Sequence, residues 1–101
     1  MEKSYMDEKV RRFLDDDGRL KQLPAKHGVR MGVYSYLFCK FDPEAVYTEK
    51  EVNALLKAWS AYEDYVMLRR ELVDYGFLCR TANGSSYWRN PNMPDGPRSD
   101  G

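Results

Sequence analysis

Residues 47–89 constrain the fold of this chain more than any other stretch, because they carry start and stop signals for successive elements. Thr48 stands three positions before a glutamate, which is the pattern of a capping box at the start of a helix. Gly76 ends the apolar pattern of a later helix, at a position where glycine commonly caps one. Asn83-Gly84 then lies between two short apolar stretches and predicts the turn of a β-hairpin.

The predicted order of elements is helix, short break, helix, glycine stop, strand, turn and strand. The first helix begins after Thr48, the apolar pattern changes phase near Ser60, and a second helix covers residues 62–75. This order is typical of a winged helix-turn-helix, in which the second helix leads directly into a hairpin called the wing. We therefore predict an α+β domain of that type, with a C-terminal two-stranded wing.

The turn also predicts how the two strands of the wing pair. A two-residue loop at Asn83-Gly84 places Cys79 opposite Trp88 and Arg80 opposite Tyr87. Alternation along the strands then separates two faces, Phe77 with Cys79 and Trp88, and Arg80 with Tyr87 and Arg89. We predict that the first face packs on the core and that the second, with its two arginines, points outward.

An additional N-terminal helix and two further elements are predicted upstream of residue 47. The helix covers residues 3–14, and its apolar stripe consists of Met6, Val10, Phe13 and Leu14. Three aspartates and Gly18 end it in a solvated turn, which is favoured over a cation site because the ligand spacing of a calcium loop is missing. Residues 19–23 are predicted to be extended, and a helix at residues 25–40 follows Pro24.

The pattern as a whole fits a single winged-helix-like domain at residues 1–89. Aromatic residues form 14% of the chain, and each buries a large apolar area, so a small core suffices. Gly28 and Gly32 stand four positions apart on one helix, which predicts close packing of another segment there. Residues 90–101 are rich in proline and glycine, and they are predicted to be a disordered tail.

The charge balance limits how the chain can bind nucleic acid. Sixteen lysines and arginines balance sixteen aspartates and glutamates, so there is no overall positive field. Any contact with DNA therefore requires a local basic patch. An ordinary soluble protein without nucleic acid is an equally good interpretation of the charge alone.

Three local features favour nucleic acid. The segment at residues 19–30 is the densest basic run, the outward face of the wing combines two arginines with a tyrosine, and the second helix carries an arginine pair where a recognition helix would sit. We therefore predict phosphate contacts by the wing and the basic run, with the arginine pair as further candidates. The candidate nucleic-acid-binding residues are Lys21, Lys26, Arg30, Arg69, Arg70, Arg80, Tyr87 and Arg89.

The second helix has a competing interpretation, in which its arginines are structural. It carries four acids, namely Glu63, Asp64, Glu71 and Asp74, which would be repelled by phosphate. Arg70 can pair with Asp74 four positions on, and Arg69 can lie over the ring of Tyr65. Structural arginines are favoured over direct reading of a groove by this helix, while contact led by the wing or by a protein partner stays open.

For catalysis, metal binding and membrane insertion the sequence offers little. His27 is the only histidine, and neither Cys39 nor Cys79 belongs to a metal-binding spacing or stands beside a base, so both are predicted to be buried free thiols. No stretch is long and apolar enough to span a bilayer. We predict a non-enzymatic, cytoplasmic protein without cofactor or metal.

Several segments together resemble a bacterial domain family of unknown function. They are Gly18-Arg19-Leu20-Lys21, Leu23-Pro24-Ala25-Lys26, the run from Tyr47 to Asn53, the run from Leu68 to Gly76, and Tyr87-Trp88-Arg89. Members of that family occur alone or fused to helix-turn-helix transcriptional regulators. The resemblance implies a winged-helix-like domain linked to transcription and implies no enzyme activity. One departure is the segment at residues 59–64, where the family carries a His-Asp-like pair that is absent here.

Two functions remain as expectations. The first is a DNA-associated transcriptional regulator or accessory domain of the winged-helix type, bound to double-stranded DNA through the candidate residues. The alternative is a protein–protein interaction module, either a homodimer or a partner of another regulator, without direct DNA binding. Met31, Tyr36 and Met67 support the alternative because they are apolar residues left over on helix faces.

Overall fold

The computed structural model of the protein describes residues 8–92. The start of the predicted N-terminal helix and residues 93–101 of the predicted tail lie outside the described residues. The described part is an α+β structure with four helices and one two-stranded antiparallel sheet. Its elements are α1 (Glu8–Arg11), α2 (His27–Phe38), α3 (Glu49–Trp59), α4 (Tyr65–Asp74), β1 (Leu78–Arg80) and β2 (Tyr87–Arg89).

The core forms around α2. Val33, Tyr34, Leu37 and Phe38 of this helix are wholly buried. Leucines and a valine from the other elements complete the cluster, including Leu20, Val52, Leu56, Leu68, Leu72 and Leu78. Each of the three longer helices therefore has a buried apolar side. The chain leaves α4 at Tyr75, whose side chain is 43% exposed.

The N-terminal helix ends earlier than predicted, at Arg11. Leu14 leaves the helix to form an antiparallel bridge with Leu20. The Asp15 carboxylate closes the intervening turn by accepting from the backbone N–H groups of Asp17 and Arg19, at 2.9 Å in each case. The predicted solvated turn thus forms around the chain's own amides. Its backbone hydrogen bonds and the nearby Arg19 and Lys21 outweigh partial desolvation and lower the pKa of Asp15.

Leu20 connects this segment to the end of α3. Its N–H donates to the carbonyl of Trp59 at 2.8 Å, and its carbonyl accepts from the N–H of Ala61 at 2.7 Å, which makes a parallel bridge with Ser60. The predicted extended conformation around Leu20 is confirmed. The close packing predicted at the helical glycines holds for Gly32, where an added Cβ would stand 2.7 Å from Val10, whereas Gly28 faces open space.

The two helices of the predicted motif begin with side-chain caps. The capping box of α3 is confirmed, with Thr48 Oγ1 accepting from the Glu51 N–H at 3.1 Å and the Glu51 carboxylate accepting from the Thr48 N–H at 2.9 Å. Helix α4 begins three residues later than predicted, because Asp64 acts as its N-cap and accepts from the Met67 N–H at 3.0 Å. Gly76 ends it with a φ of 86°, as predicted.

The predicted strand pairing is confirmed, with Cys79 opposite Trp88 and Arg80 opposite Tyr87. Thr81 closes the turn: its N–H donates to the Ser86 carbonyl at 3.0 Å, and its hydroxyl accepts from the Ser85 N–H at 3.0 Å. Tyr47, just before α3, adds an antiparallel bridge to the outer side of β2 through two 2.7 Å hydrogen bonds with Tyr87.

The predicted assignment of the hairpin faces is wrong. Tyr87 is 1% exposed and faces the core together with Leu78, whereas Cys79 and Trp88 are only half-buried. Leu78, which the prediction left out, shares a face with Tyr87 because their positions alternate with those of Cys79 and Trp88. Phe77 is buried as predicted, and its ring lies against Phe38 and Tyr34 from a position before β1.

Candidate nucleic-acid interface

A groove of about 310 Å³ separates α4 from the hairpin. It brings together four of the residues predicted from the sequence, namely Arg69, Arg70, Arg80 and Tyr87. Val66, Val73 and Asp74 complete its lining. Among the lining residues three guanidinium groups stand against one carboxylate, so the groove is a local basic feature in a chain of zero net charge.

Arg80 is exposed and lies along the hairpin turn. Its Nε donates to the Thr81 carbonyl at 3.1 Å and its Nη2 to the Ala82 carbonyl at 3.0 Å. A Cβ added at Gly84 would lie 3.6 Å from Arg80 Nη2 and 3.7 Å from the Tyr87 hydroxyl, so both polar groups flank this glycine. Three of the five guanidinium N–H groups keep the capacity to bind an oxyanion.

Arg69 has a structural role. Its Nη1 donates to the Asn53 side-chain oxygen at 2.5 Å and lies 3.7 Å from Glu49 Oε2, which connects α4 to α3. The predicted stacking of this arginine on Tyr65 is wrong, because Lys57 of α3 occupies the ring face instead, at 4.6 Å. Asn53 and Arg69 are sixteen positions apart, and no spacing rule points to such a pair.

Arg70 is exposed at the edge of the groove. The predicted ion pair with Asp74 does not form, and within residues 9–92 no hydrogen bond or ion pair engages the Arg70 guanidinium. Its charge is therefore available to a ligand. Arg70 and Arg80 are the two arginines of the groove whose guanidinium N–H groups can donate to a ligand.

Glu71 does not act as a surface acid on α4. It accepts a hydrogen bond from the Tyr34 hydroxyl and lies 3.3 Å from Arg30 Nη1, and both partners belong to α2. Burial, followed by the hydrogen bond to this carboxylate, raises the pKa of Tyr34 above its usual range. With Asp64 used as a cap, the outer surface of α4 is less acidic than its composition suggests.

The basic run at residues 19–30 contains two structural arginines. Arg19 donates to the carbonyls of Lys57, Ala58 and Ser60 at 3.0–3.2 Å and so binds the C-terminal end of α3. Arg30 donates to the Pro24 carbonyl at 3.0 Å and to Glu71. Lys21 and Lys26 are exposed.

The basic run and the groove lie on different sides of α4. Arg30 contacts Glu71, and the ring of His27 lies 5.7 Å from that of Tyr75. At 3.6 residues per turn, Glu71 projects about 160° away from Arg69 and Val73 and about 100° away from Arg70. The end of the run nearest α4 therefore does not extend the groove, and Lys26 and Arg30 are separated from Arg80.

Arg89 also lies outside the groove. Its guanidinium carbon is 4.1 Å from the centre of the Phe38 ring, and its Nη1 donates to the Phe41 carbonyl at 3.1 Å. This cation–π contact fastens β2 to the end of α2. The sequence interpretation of Arg89 and Tyr87 as an outward-facing pair fails because the hairpin presents that face to the core.

Catalytic and metal-binding chemistry have few candidates among the described residues. No group of three or more His, Cys, Asp or Glu side chains within that part of the chain could hold a metal ion. Cys39 and Cys79 are not joined in a disulfide and are half-buried, which makes them less buried than predicted. No helix found in residues 8–92 has the length and apolar character needed to cross a membrane.

The sequence model of one family, described as an uncharacterized protein conserved in bacteria (DUF2087), matches residues 19–89 of the chain. This match covers well over half of the sequence, and the chain belongs to this family. The matched segment runs from the arginine that binds the end of α3 to the last residue of β2, so it contains the groove. No curated protein and no solved structure gives a significant match.

Proposed function

We propose that the protein is a DNA-associated accessory or regulatory domain of the winged-helix type. The order α2, Tyr47, α3, α4, β1 and β2 supports the fold, because the Tyr47 bridge supplies the short first strand that pairs with the hairpin in such domains. In this arrangement α4 corresponds to the recognition helix and the hairpin to the wing. Half-buried thiols that are not joined in a disulfide suit a protein of the reducing cytoplasm.

The observation that carries the proposal is the groove itself. Arg70 and Arg80 come from different elements and meet at one basic site with free donor capacity. Guanidinium groups bind phosphate in a forked geometry, so an arginine on the helix and an arginine on the wing can each contact a phosphate of a DNA backbone. Because the chain as a whole has zero net charge, we expect weak, sequence-independent affinity dominated by these few phosphate contacts.

Fluorescence anisotropy with a short DNA duplex, repeated over a series of salt concentrations, tests this proposal. The logarithm of the binding constant falls with the logarithm of salt concentration in proportion to the number of phosphate contacts. Arg70→Gln and Arg80→Gln should each lower that slope by about 1. Arg11→Gln, which removes an exposed arginine of α1 outside the groove, is the matched control and should leave the slope unchanged.

Absence of binding by the unchanged protein would rule out the proposal. Equal slopes for the two groove variants and the Arg11 control would separate DNA binding from the groove. Thermal unfolding of each variant must match that of the unchanged protein, because Arg80 also holds the turn of the hairpin.

A protein-interaction module is the second candidate. Val66 on α4 and Tyr75 directly after it are 46% and 43% exposed, and Val66 also lines the groove. Of the three leftover apolar residues, Tyr36 belongs to the core, Met31 packs against it, and Met67 on α4 is half-buried. The support therefore rests on α4. Light scattering across a wide concentration range should then show a dimer that Val66→Glu dissociates, and a monomer throughout would exclude self-association.

A further inference from the structure

A second cavity, here called the basic pocket, lies between α1 and the segment that enters α2. Its volume is about 520 Å³, which is within the range typical of small-molecule sites. It is lined by Lys9, Arg12, Phe13, Gln22, Leu23, Pro24, Ala25, Lys26 and Val29. None of these residues lines the groove between α4 and the hairpin, so the two sites are separate.

The floor of the basic pocket is apolar and fixed to the core. Pro24 is buried, and Phe13 and Leu23 are half-buried against the hydrophobic cluster. Ala25 and Val29 complete this surface. A floor of this composition binds the apolar body of a ligand through burial of its surface.

The rim of the basic pocket is positively charged. Lys9, Arg12 and Lys26 are exposed, and within residues 9–92 no aspartate or glutamate lines the cavity. None of the three side chains makes a hydrogen bond or ion pair with a residue of that range. By contrast, Arg19 and Arg30 of the neighbouring basic run donate hydrogen bonds to protein oxygens. Three cations around one apolar floor favour a ligand that carries a negative charge.

We propose that the basic pocket binds a small carboxylic acid with an apolar body, such as a medium-chain fatty acid. The apolar body lies on the floor, and the carboxylate receives charge-assisted hydrogen bonds from Arg12 and Lys26. This role goes beyond the contact with DNA and does not depend on it. The basic pocket and the groove share no lining residue, so both sites can be occupied independently.

Isothermal titration of the full chain with octanoate tests the proposal. Octanoate should bind with one molecule per chain. Octanol, which has the same chain length without the charge, and inorganic phosphate, which has charge without an apolar body, should each bind at least about tenfold more weakly, because each lacks one of the two interactions. Absence of octanoate binding, or equal affinity for either comparison compound, would overturn the proposal.

Variants locate the binding in the pocket. Ala25→Trp places a large side chain over the floor from an exposed position and should abolish octanoate binding. Arg12→Gln combined with Lys26→Gln should weaken it by about tenfold or more. Lys50→Gln removes an exposed cation of α3 and is the matched control. Unchanged affinity in Ala25→Trp, with an unchanged melting temperature, would place octanoate elsewhere and refute the assignment.

Discussion

At the scale of single residues, Glu71 shows that a charge counted from the sequence can be engaged inside the protein and so be missing from its surface. In the sequence it makes α4 acidic, whereas in the structure its carboxylate is taken up by the Tyr34 hydroxyl and by Arg30. Both donors bind Glu71 Oε1, so loss of the Tyr34 hydroxyl leaves this partly buried oxygen with Arg30 as its only donor of the two. The Tyr34 hydroxyl therefore connects α2 to α4 through Glu71.

Tyr34→Phe should destabilise the protein by about 1–3 kcal/mol at neutral pH, because the hydrogen bond to Glu71 is lost. The pKa of Tyr34 is raised in the folded state, so this stabilisation is complete below about pH 10, where the unfolded phenol titrates. Above that pH the difference in free energy of unfolding between the unchanged protein and the variant falls by about 1.4 kcal/mol per pH unit. Urea unfolding of both proteins at several pH values should therefore show a difference in free energy of unfolding that becomes smaller at alkaline pH. A difference that becomes larger there would contradict the prediction.

Gly18 is required by both its backbone and its surroundings. Its φ is 80°, and an added Cβ would stand 2.8 Å from the hydroxyl of Tyr36. Gly18→Ala should lower the free energy of unfolding by about 1–3 kcal/mol. Gly28→Ala is the matched control, since Gly28 faces open space in a helix and alanine should stabilise by up to about 1 kcal/mol. Chemical unfolding measures both, and equal effects would show that the turn tolerates a side chain.

At the scale of elements, α3 is held at its two ends by contacts of different range. Thr48 caps the start from the adjacent position, and the capping box was visible in the sequence. Arg19 binds carbonyls at the other end from 38 to 41 positions away. No local pattern distinguishes this arginine from the exposed lysines around it, so it was grouped with a basic patch.

The contrast between Arg19 and Arg70 can be tested directly. Arg19→Met removes donors from three carbonyls at the end of α3 and should destabilise the protein by about 1–3 kcal/mol. Arg70→Met removes an exposed guanidinium and should change stability by less than about 0.5 kcal/mol. Urea unfolding compares the two variants. A similar loss of stability for both would show that Arg70 has a structural partner.

At the scale of the whole molecule, Leu20 joins the N-terminal segment to the rest of the domain. Its side chain is wholly buried, and its backbone bridges Leu14 on one side and Ser60 on the other. The family match begins one residue before it, so the matched region includes this connection. The segment before α2 is thus an integral part of the fold.

Leu20→Ala should destabilise the domain by about 2–5 kcal/mol, because it leaves a cavity where three segments meet. Val46→Ala removes an apolar side chain that is 65% exposed and should have an effect below about 0.5 kcal/mol. Calorimetry would compare the melting temperatures. A small effect of the Leu20 change would mean that the N-terminal segment is only loosely attached to the domain.

Local sequence patterns predict the order of the elements, the cap of α3, the glycine stop after α4 and the strand register, since each depends on residues close together along the chain. Packing in three dimensions selects which face of the hairpin is buried and which charges are free. Alternation defines two faces but does not choose between them, and Leu78 with Tyr87 made the better core surface. The role of each arginine depends on groups distant in sequence, because a charge is satisfied by whatever folding brings within hydrogen-bonding distance.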